Sequence, residues 1–442
     1  MGMGTLAELM LAKGCKVSGS DVKENQVTAH LRDRGAVIRI GHTARNIGCP
    51  DRVIYSSAVG PDNPEIQAAR RKNIPVEKRA QLLSELVNAQ TGITVAGAHG
   101  KTTTTAMIAR LLLKAGCDPT TMVGGWVKDS SDHAHLGSGK YFVAELDESD
   151  GSFLFFKPAL SVVTNIDYEH LDHYGNWKNI LKAYTRFIRR TKKGGCVFAC
   201  GDCERLRKLL AREKTDVLTY GTGPRNDLRA GRISFNGYAL SFDCFWKRKK
   251  MGTIQLRVPG GHNVLNALAC VAVGRKLGID FTVIRESLQE FPGVERRFQK
   301  KAEINDILVV DDYGHHPTEI VSTLKTARSF GKKRVITIFQ PHRYSRTKYL
   351  WNKFLACFGL SDYLIITDIY AAGEKPILGV TGEGLRQKIK NKKKPAVYLK
   401  KKDIVPHLLE MVRPGDLVLF LGAGDITQVG EDFVERIGRN FL

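Results

Sequence analysis

The stretch that decides the fold is Gly97-Ala98-His99-Gly100-Lys101-Thr102-Thr103. An apolar run at residues 93–96 precedes it, and residues 105–113 carry apolar side chains at helical spacing. The order is therefore strand, glycine-rich turn and helix, which is the context that a phosphate-binding loop requires. Glycines let the backbone approach a phosphate closely, and the start of a helix adds partial positive charge. In such a loop Lys101 can reach phosphate oxygens, and the Thr102 hydroxyl can hold a magnesium ion.

The loop is a shortened form of the commonest phosphate-binding pattern. A strict G-x-x-x-x-G-K-[ST] loop would have glycine at Val95, whereas the first glycine here is Gly97. An ordinary glycine turn that caps a helix, with Lys101 in solvent, is the alternative. The coincidence of strand, turn, Lys-Thr pair and helix favours phosphate binding.

The composition is that of a globular enzyme. The 442 residues suffice for two or three domains, and 43% hydrophobic with 26% charged residues are ordinary values. No apolar run approaches the roughly 18 residues that span a bilayer, so we expect no membrane insertion. No basic segment followed by an apolar core opens the chain, as a secretory signal would. The nine cysteines are scattered apart from Cys200-Gly-Asp-Cys203. We expect reduced thiols in a cytoplasmic protein.

The formal net charge of +23 is large. It could indicate nucleic-acid binding, or it could suit small polyanionic substrates. Part of the excess lies in lysine-rich runs at residues 247–250, 392–394 and 400–402. No aromatic residues interleave the last two runs, so solvated loops are favoured and no nucleic-acid partner is expected.

The chain reads as three α/β units, at residues 1–88, 89–293 and 294–442. The first resembles a Rossmann-like domain, but no strand precedes its glycines, so we expect it to begin inside a glycine-rich loop without its first strand. The second is predicted to be a central P-loop ATPase-type domain. The third is predicted to be another parallel, Rossmann-like α/β layer.

Two strands after the phosphate loop deliver candidate metal ligands at their carboxyl ends. Glu145 ends the run 141–145, and His170 lies in the segment that follows the run 161–165. Magnesium prefers oxygen ligands, so a histidine is less typical of its sites. Asp147, Glu148 and Asp150 crowd the same turn and are alternatives to Glu145.

Polar residues also mark a helix start and a unit junction. Asn266, within Gly261-His262-Asn263-Val264-Leu265-Asn266, could help to hold a nucleotide, although helix capping by Asn263 explains such a stretch equally well. Arg297 lies between the second and third units, where it could reach a phosphate on domain closure or remain solvated.

Two dense loops follow strands of the third unit. Asp311-Asp312-Tyr313-Gly314-His315-His316-Pro317-Thr318-Glu319 holds acids and two histidines, and zinc binding there is conceivable although no cysteine accompanies them. The second loop carries Arg343 and Arg346, which suit a carboxylate or phosphate. A solvated basic loop is the alternative for the second.

In chain order, these motifs resemble the Mur ligases over essentially the whole sequence. The motifs are Gly97 to Thr104, Ala144-Glu145-Leu-Asp-Glu-Ser-Asp150, Thr164-Asn165 through His170-Leu-Asp172, Arg296-Arg297-Phe298-Gln299, Asp311 through Glu319, and Pro341-His-Arg-Tyr-Ser-Arg-Thr347. The last two are the most specific and indicate the branch of the family that adds alanine. Other members carry a carbamylated lysine where this chain has Ala183-Tyr184-Thr185-Arg186, and its absence agrees with that branch.

The resemblance implies a cytoplasmic, ATP-dependent ligase of peptidoglycan synthesis. Such an enzyme joins L-alanine to the carboxylate of UDP-N-acetylmuramate. The carboxylate first attacks the γ-phosphate to give an acyl phosphate, which the amine then attacks. The high positive charge would suit the two anionic substrates. We expect a monomer or dimer that uses ATP and Mg²⁺.

The resemblance also implies roles for single residues. The catalytic set would be Lys101, His170, Arg297 and His315. The ATP-binding set would be Gly97, Ala98, His99, Gly100, Lys101, Thr102, Thr103, Asn266, Arg297 and Asp312, with Thr102, Glu145 and His170 serving the metal. The substrate-binding set would be Ser20, Asp21 and Ser57 for the UDP-sugar, and Tyr313, His315, Arg343 and Arg346 for the amino acid and acyl phosphate.

Other functions remain compatible with the motifs. A murein-peptide recycling ligase would share the fold and act on a whole tripeptide. A P-loop kinase would transfer phosphate to a stable acceptor. A non-catalytic nucleotide- or nucleic-acid-binding protein is the alternative from a different class.

Overall fold

The first unit is built from short elements that pair locally. The computed structural model of the protein describes residues 2–125, 127, 134–389 and 395–440, so the lysine run at 392–394 lies outside the described residues. The elements are α1 Gly2–Ala12, β1 Ser18–Asp21, α2 Gln26–Asp33, β2 Val37–Ile40, β3 Val53–Tyr55, α3 Pro64–Arg71, β4 Val76–Lys78 and α4 Arg79–Ala89. Parallel pairs β1–β2 and β3–β4 form two separate two-stranded sheets.

The opening glycines do not form the loop that the sequence predicts. Gly2 and Gly4 lie inside α1, which begins at Gly2. Leu6 and Leu9 are buried, and they pack with α4 residues such as Leu83 in one apolar cluster. Burial of this apolar face stabilises helix where the local sequence alone suggested a turn.

The middle unit is a ten-stranded sheet with the order β14-β13-β12-β11-β10-β9-β5-β8-β6-β7. Its strands are β5 Thr91–Ala96, β6 Thr120–Met122, β7 Ala134–His135, β8 Tyr141–Glu145, β9 Leu160–Val163, β10 Cys196–Cys200, β11 Val217–Gly221, β12 Leu228–Asn236, β13 Ala239–Trp246 and β14 Lys249–Leu256. Its helices are α5 Lys101–Lys114, α6 Leu171–Tyr174, α7 Trp177–Arg189, α8 Glu204–Leu210, α9 His262–Lys276 and α10 Phe281–Gln289.

The central strand β5 places the phosphate loop. It pairs in parallel with β8 on one side and β9 on the other, with Val95 opposite Glu145 and Ala96 opposite Val163. Five of its six residues are buried, as expected of a strand with helices on both faces. The loops after these three strands therefore open at one edge of the sheet, as predicted.

The third unit is a six-stranded sheet with the order β15-β16-β20-β17-β18-β19. Its strands are β15 Gln299–Ile304, β16 Ile307–Asp312, β17 Arg334–Phe339, β18 Tyr363–Ile366, β19 Ala396–Tyr398 and β20 Asp416–Leu421. Its helices are α11 Pro317–Arg328, α12 Tyr344–Tyr349, α13 Trp351–Cys357, α14 Gly382–Lys388, α15 Lys401–Met411 and α16 Ile426–Asn440.

One strand of this sheet departs from the wholly parallel layer that the sequence predicts. Strand β15 runs antiparallel to β16, joined by a two-residue turn. Both turn residues have positive φ, 47° at Asn305 and 59° at Asp306, which is the geometry of a tight hairpin. The prediction missed β15 because Gln299–Ile304 carries two lysines and a glutamate, a composition that is weak for a strand.

The mixed α/β class with a central P-loop sheet is confirmed by these sheets. The exact boundaries at residues 88 and 293 stay predictions. All nine cysteines lie among the described residues and are free thiols. Within the described ranges, no helix combines the length and apolar character needed to cross a bilayer.

Candidate functional site

The phosphate loop is pinned to the end of β9. The Asn165 side chain accepts a hydrogen bond from the backbone N–H of His99 at 2.9 Å and donates one to its carbonyl at 3.0 Å. A Cβ at Gly97 would lie 2.2 Å from Thr164 Oγ1, and Gly97 has φ 134°, so only glycine fits there. Gly100, at φ 80°, is crowded in the same way by Asn266 Oδ1.

Lys101 is folded back into its own loop. Its Nζ donates to the Gly97 carbonyl at 2.7 Å and to Glu148 Oε1 at 2.9 Å. Burial by itself lowers the pKa of Lys101, but Glu148 and Glu145 outweigh it and raise the pKa above its ordinary value. The ammonium is therefore fully charged at neutral pH.

Thr102 and Glu145 form a pair at the mouth of the loop. The Thr102 hydroxyl donates to Glu145 Oε1 at 3.1 Å, and the Gly124 N–H donates to Glu145 Oε2 at 2.9 Å. Burial raises the pKa of Glu145 although Lys101 opposes the shift. The structure thus brings together two of the three predicted metal ligands.

The third predicted ligand, His170, belongs to a neighbouring acidic cluster. Its Nε2 lies 3.6 Å from Glu148 Oε1 and 3.9 Å from Glu169 Oε2, and all three side chains are largely buried. Burial raises the pKa of Glu148, but Lys101 and His170 outweigh it and hold the pKa at about 2. Glu148 is therefore ionised, and its Oε2 is buried without a hydrogen-bond partner.

Sequence reasoning named Glu148 only as an alternative to Glu145 and did not single out Glu169. The structure separates their surroundings: Glu145 faces Thr102, whereas Glu148 faces Lys101 and His170. The available signal was the density of acids in residues 145–150, which could not indicate the direction of each side chain.

A cleft joins this cluster to the third unit. It is open to solvent. From the middle unit it is lined by residues 168–172, and from the third unit by Arg343, Ser345, Arg346, Tyr349 and Leu350. Arg346 Nε lies 3.8 Å from Glu169 Oε1. Two predicted substrate residues thus share one cleft with His170.

Tyr313 and His315, the other residues predicted to bind the amino acid, lie close to this cleft. The Nδ1 of His315 is 3.0 Å from the Tyr313 carbonyl, and its ring is 5.5 Å from that of His342. Nδ1 of His342 lies 2.8 Å from the Arg346 guanidinium. Burial and the charges of Arg346, Arg343 and Arg296 lower the pKa of His342 to about 3. Burial and Arg346 likewise hold the pKa of His315 well below its ordinary value, so both imidazoles are neutral.

Asp312 and Asn266 engage protein groups rather than the open cleft. Asp312 accepts hydrogen bonds from the Phe298 and Gly314 N–H groups, at 2.7 and 2.8 Å. Burial raises its pKa to about 6 although Arg297 opposes the shift. The Asn266 Oδ1 accepts from Thr104 at 3.2 Å. Their predicted contacts with ATP stay predictions.

Arg297 contacts groups of the third unit. It stacks over the Tyr313 ring at 5.2 Å and lies 3.9 Å from Glu319 Oε1. Its predicted contact with ATP also stays a prediction.

The predicted UDP-sugar residues lie apart from the loop. The Ser20 hydroxyl donates to Glu65 at 2.8 Å and lies 2.9 Å from His42 Nδ1. Asp21 contacts the Lys23 N–H, and Ser57 is exposed. Among the described residues, no hydrogen bond or ion pair joins these three side chains to the phosphate loop.

Three family models match consecutive parts of the chain. Residues 1–91 match "Mur ligase family, catalytic domain", residues 95–274 match "Mur ligase middle domain", and residues 296–424 match "Mur ligase, glutamate ligase domain". Together they cover most of the sequence in the order in which the three units occur.

Individual relatives are similar over nearly their full length. A UDP-N-acetylmuramate–L-alanine ligase of Geotalea daltonii is 45% identical, over 99% of this chain and 96% of that protein. One of Desulfosudis oleivorans is 47% identical, over 98% and 95%. The crystal structure of UDP-N-acetylmuramate–alanine ligase from Thermotoga maritima superposes with a TM-score of 0.84 at 32% identity, covering 99% of this chain and 97% of that one. This chain therefore belongs to the Mur ligase family.

Proposed function

We propose that the chain is an ATP-dependent ligase that joins L-alanine to the carboxylate of UDP-N-acetylmuramate through an acyl phosphate. The observation that carries the proposal is the cleft in which His170, from the phosphate-loop side, and two arginines, Arg343 and Arg346, line one volume. A carboxylate activated by ATP and an amine from the opposite side could meet there. The names of relatives at 45–47% identity support the same substrates.

Lys101 would stabilise the transferring phosphoryl group. Its ammonium is charged and lies in a loop whose glycines admit phosphate to the backbone. To reach the γ-phosphate it must leave Glu148, with which it pairs at 2.9 Å. Nucleotide binding would therefore exchange one anionic partner of Lys101 for another.

The residues at the loop fit a divalent cation. Thr102 and Glu145 offer hard oxygen donors, and the orphaned Oε2 of Glu148 adds buried negative charge nearby. We propose that Thr102, Glu145 and His170 serve Mg²⁺, which would neutralise charge on the phosphates of ATP when it is bound. The nucleotide itself would rest on residues 97–103.

The third-unit side of the cleft would hold the amino acid. The Nδ1–H of His315 can donate to the Tyr313 carbonyl, which leaves Nε2 as a hydrogen-bond acceptor for the incoming amine. Arg343 and Arg346 would bind the carboxylate of L-alanine and the acyl-phosphate end. The neutral state of His315 avoids repulsion of a positively charged amine.

The first unit would hold the UDP-sugar, with Ser20, Asp21 and Ser57 near it. Because ATP and UDP-sugars are cytoplasmic metabolites, we propose that the protein acts in the cytoplasm on small molecules. We propose that it does so as a monomer or dimer.

Phosphate release tests the proposal. Purified protein is mixed with ATP, Mg²⁺ and UDP-N-acetylmuramate, and release is compared with L-alanine, other amino acids and no amino acid. We expect release that depends on both UDP-N-acetylmuramate and L-alanine. Turnover no faster with L-alanine than without it would contradict the assignment. A preference for a peptidoglycan tripeptide over L-alanine would support the recycling reaction instead.

A further inference from the structure

His99, in the middle of the phosphate loop, lies between two carboxylates from different parts of the molecule. Its Nε2 is 3.2 Å from Asp167 Oδ2, in the segment after β9. Its Nδ1 is 3.3 Å from Glu319 Oε1, in the first turn of α11 in the third unit. The three side chains are only 11–15% exposed. The loop that would bind phosphate is thus linked directly to the third unit.

Both acids also accept hydrogen bonds from residues of the third unit, and Asp167 pairs in addition with Arg205 of the middle unit at 2.7 Å. Glu319 Oε2 accepts hydrogen bonds from the His315 and His316 N–H groups at 3.0 and 3.2 Å, so it fixes the start of α11. Asp167 Oδ2 accepts from the Thr318 hydroxyl at 2.7 Å. A movement of the His99 ring would therefore change the contacts that Asp167 and Glu319 make within residues 315–319.

The same side chains could be considered as ligands of a transition metal, because His316 Nδ1 lies 3.7 Å from Asp167 Oδ2. The contacts of His99 favour an ion pair instead, although Nε2 of His316 is buried without a hydrogen-bond partner. His316 Nδ1 already accepts a hydrogen bond from the Thr318 N–H at 3.2 Å. Both nitrogens of His99 face carboxylates, which favours protonation of both and a ring that is an imidazolium cation.

The His99 backbone follows the loop closely. Its N–H and carbonyl are both bonded to the Asn165 side chain, and its carbonyl also accepts from Thr164 Oγ1 at 2.7 Å. Any rearrangement of residues 97–101 around a nucleotide must therefore change where the imidazolium can sit between its two acids.

We propose that His99 is a positioning residue: its imidazolium cross-links the phosphate loop to Glu319 and so couples nucleotide binding to the placement of the Tyr313–His315 segment, where the amino acid would bind. This inference rests on the proposed function for the identity of the second ligand. It adds to that function a set of contacts through which nucleotide binding would position the residues that bind the amino acid. Coupled sites typically change each other's affinity by about 5–150-fold.

Hydrogen exchange tests the coupling without any turnover. We compare exchange in residues 313–324 with and without a non-hydrolysable ATP analogue and Mg²⁺, in the wild type and in His99→Gln and Glu319→Gln. Glu319→Gln keeps an oxygen that can accept from the His315 and His316 N–H groups and removes the charge that faces His99. We expect the analogue to slow exchange in the wild type and to have little effect in either variant.

Calorimetry on the same proteins gives the size of the effect. We expect the analogue to tighten L-alanine binding at least about 5-fold in the wild type and to change it less than about 2-fold in each variant, with no further loss in the double variant. Affinity for the analogue alone should change little in Glu319→Gln, which leaves the phosphate loop intact. Glu290 follows α10 directly and is a surface partner of Lys114 at the end of α5, so Glu290→Gln should behave as the wild type.

Undiminished coupling in both variants overturns the proposal, as does stoichiometric Zn²⁺ binding by the wild type that His99→Gln abolishes. The outcome is separable from the proposed function. If the wild type releases no phosphate with L-alanine, the proposed function fails, yet exchange at residues 313–324 still reports whether the loop and α11 are coupled.

Discussion

The Nζ of Lys101 lies 2.9 Å from Glu148 Oε1, and Glu148 is only 3% exposed. The lysine of a phosphate loop is thus neutralised by a buried acid rather than held in solvent. Removal of one partner from such a pair leaves an uncompensated charge, which is costly in a buried site. Nucleotide phosphate is the natural replacement, because it offers Lys101 a stronger anionic partner within the same loop.

Lys101→Ala should abolish turnover while the fold survives. The ammonium is predicted to stabilise the transferring phosphoryl group, and loss of one such group costs about 10²–10³-fold in rate. Phosphate release should therefore fall at least about 100-fold. The unpaired Glu148 should lower the melting temperature, while the circular dichroism of the folded variant stays unchanged. A wholly unfolded variant would indicate that Lys101 serves mainly to neutralise Glu148, and Lys140→Ala on the surface serves as the control.

Glu148→Gln should make the protein depend more strongly on nucleotide for stability. Without the carboxylate, buried Lys101 lacks its anionic partner, so the melting temperature of the free protein should fall. Bound ATP restores a counter-charge, so the ATP-induced rise in melting temperature should exceed that of the wild type. Asp147→Asn, an exposed acid in the same turn, is the matched control. Equal ATP-induced rises in both variants would argue against an exchange of partners.

Arg346→Ala should weaken amino-acid binding selectively. Arg346 lines the cleft and lies near Glu169, so its loss removes a cation predicted to bind a carboxylate. We expect the KM for L-alanine to rise about tenfold or more, since a charge-assisted hydrogen bond contributes about 1.5–3 kcal/mol. The KM for ATP should stay within about twofold, because the phosphate loop is untouched. Steady-state kinetics with each substrate varied in turn will separate the two effects.

Much of the fold could be predicted because local patterns and the final structure agree. The predicted run 141–145 has the same bounds as strand β8, Tyr141–Glu145. It is an apolar run that ends in turn residues, and its three central residues are buried. The rule that parallel strands share an edge then placed the loop, Glu145 and His170 together.

What could not be predicted depends on side-chain direction and on contacts distant in sequence. The spacing of the acids in the sequence predicted several of them near Lys101. Only the folded structure shows that the Glu148 side chain points towards Lys101. The residue pattern likewise gave no sign that Asp312 accepts hydrogen bonds from the Phe298 and Gly314 N–H groups within its own unit. The contact between His99 and Glu319 spans 220 positions of sequence, so no local pattern could indicate it.

Raising the pH should remove the stabilisation that His99 provides. Burial lowers the pKa of His99, but Asp167 and Glu319 outweigh it and raise the pKa to about 10, against 6.5 for an unperturbed histidine. Between these values the folded protein binds a proton that the unfolded chain lacks. The contribution is therefore complete below about pH 6.5 and disappears as the pH rises through about 10.

The melting temperatures of the wild type and His99→Gln, measured from pH 6 to pH 10.5, test this linkage. We expect the wild type's advantage to be largest at pH 6 and to shrink steadily towards pH 10, while titrations shared by both proteins cancel in the difference. His407→Gln is the control, because its ring contacts the Tyr363 hydroxyl at 2.9 Å rather than a carboxylate. An advantage for the wild type that is the same at every pH would mean that His99 stabilises the fold by packing, without the charge that the two acids favour.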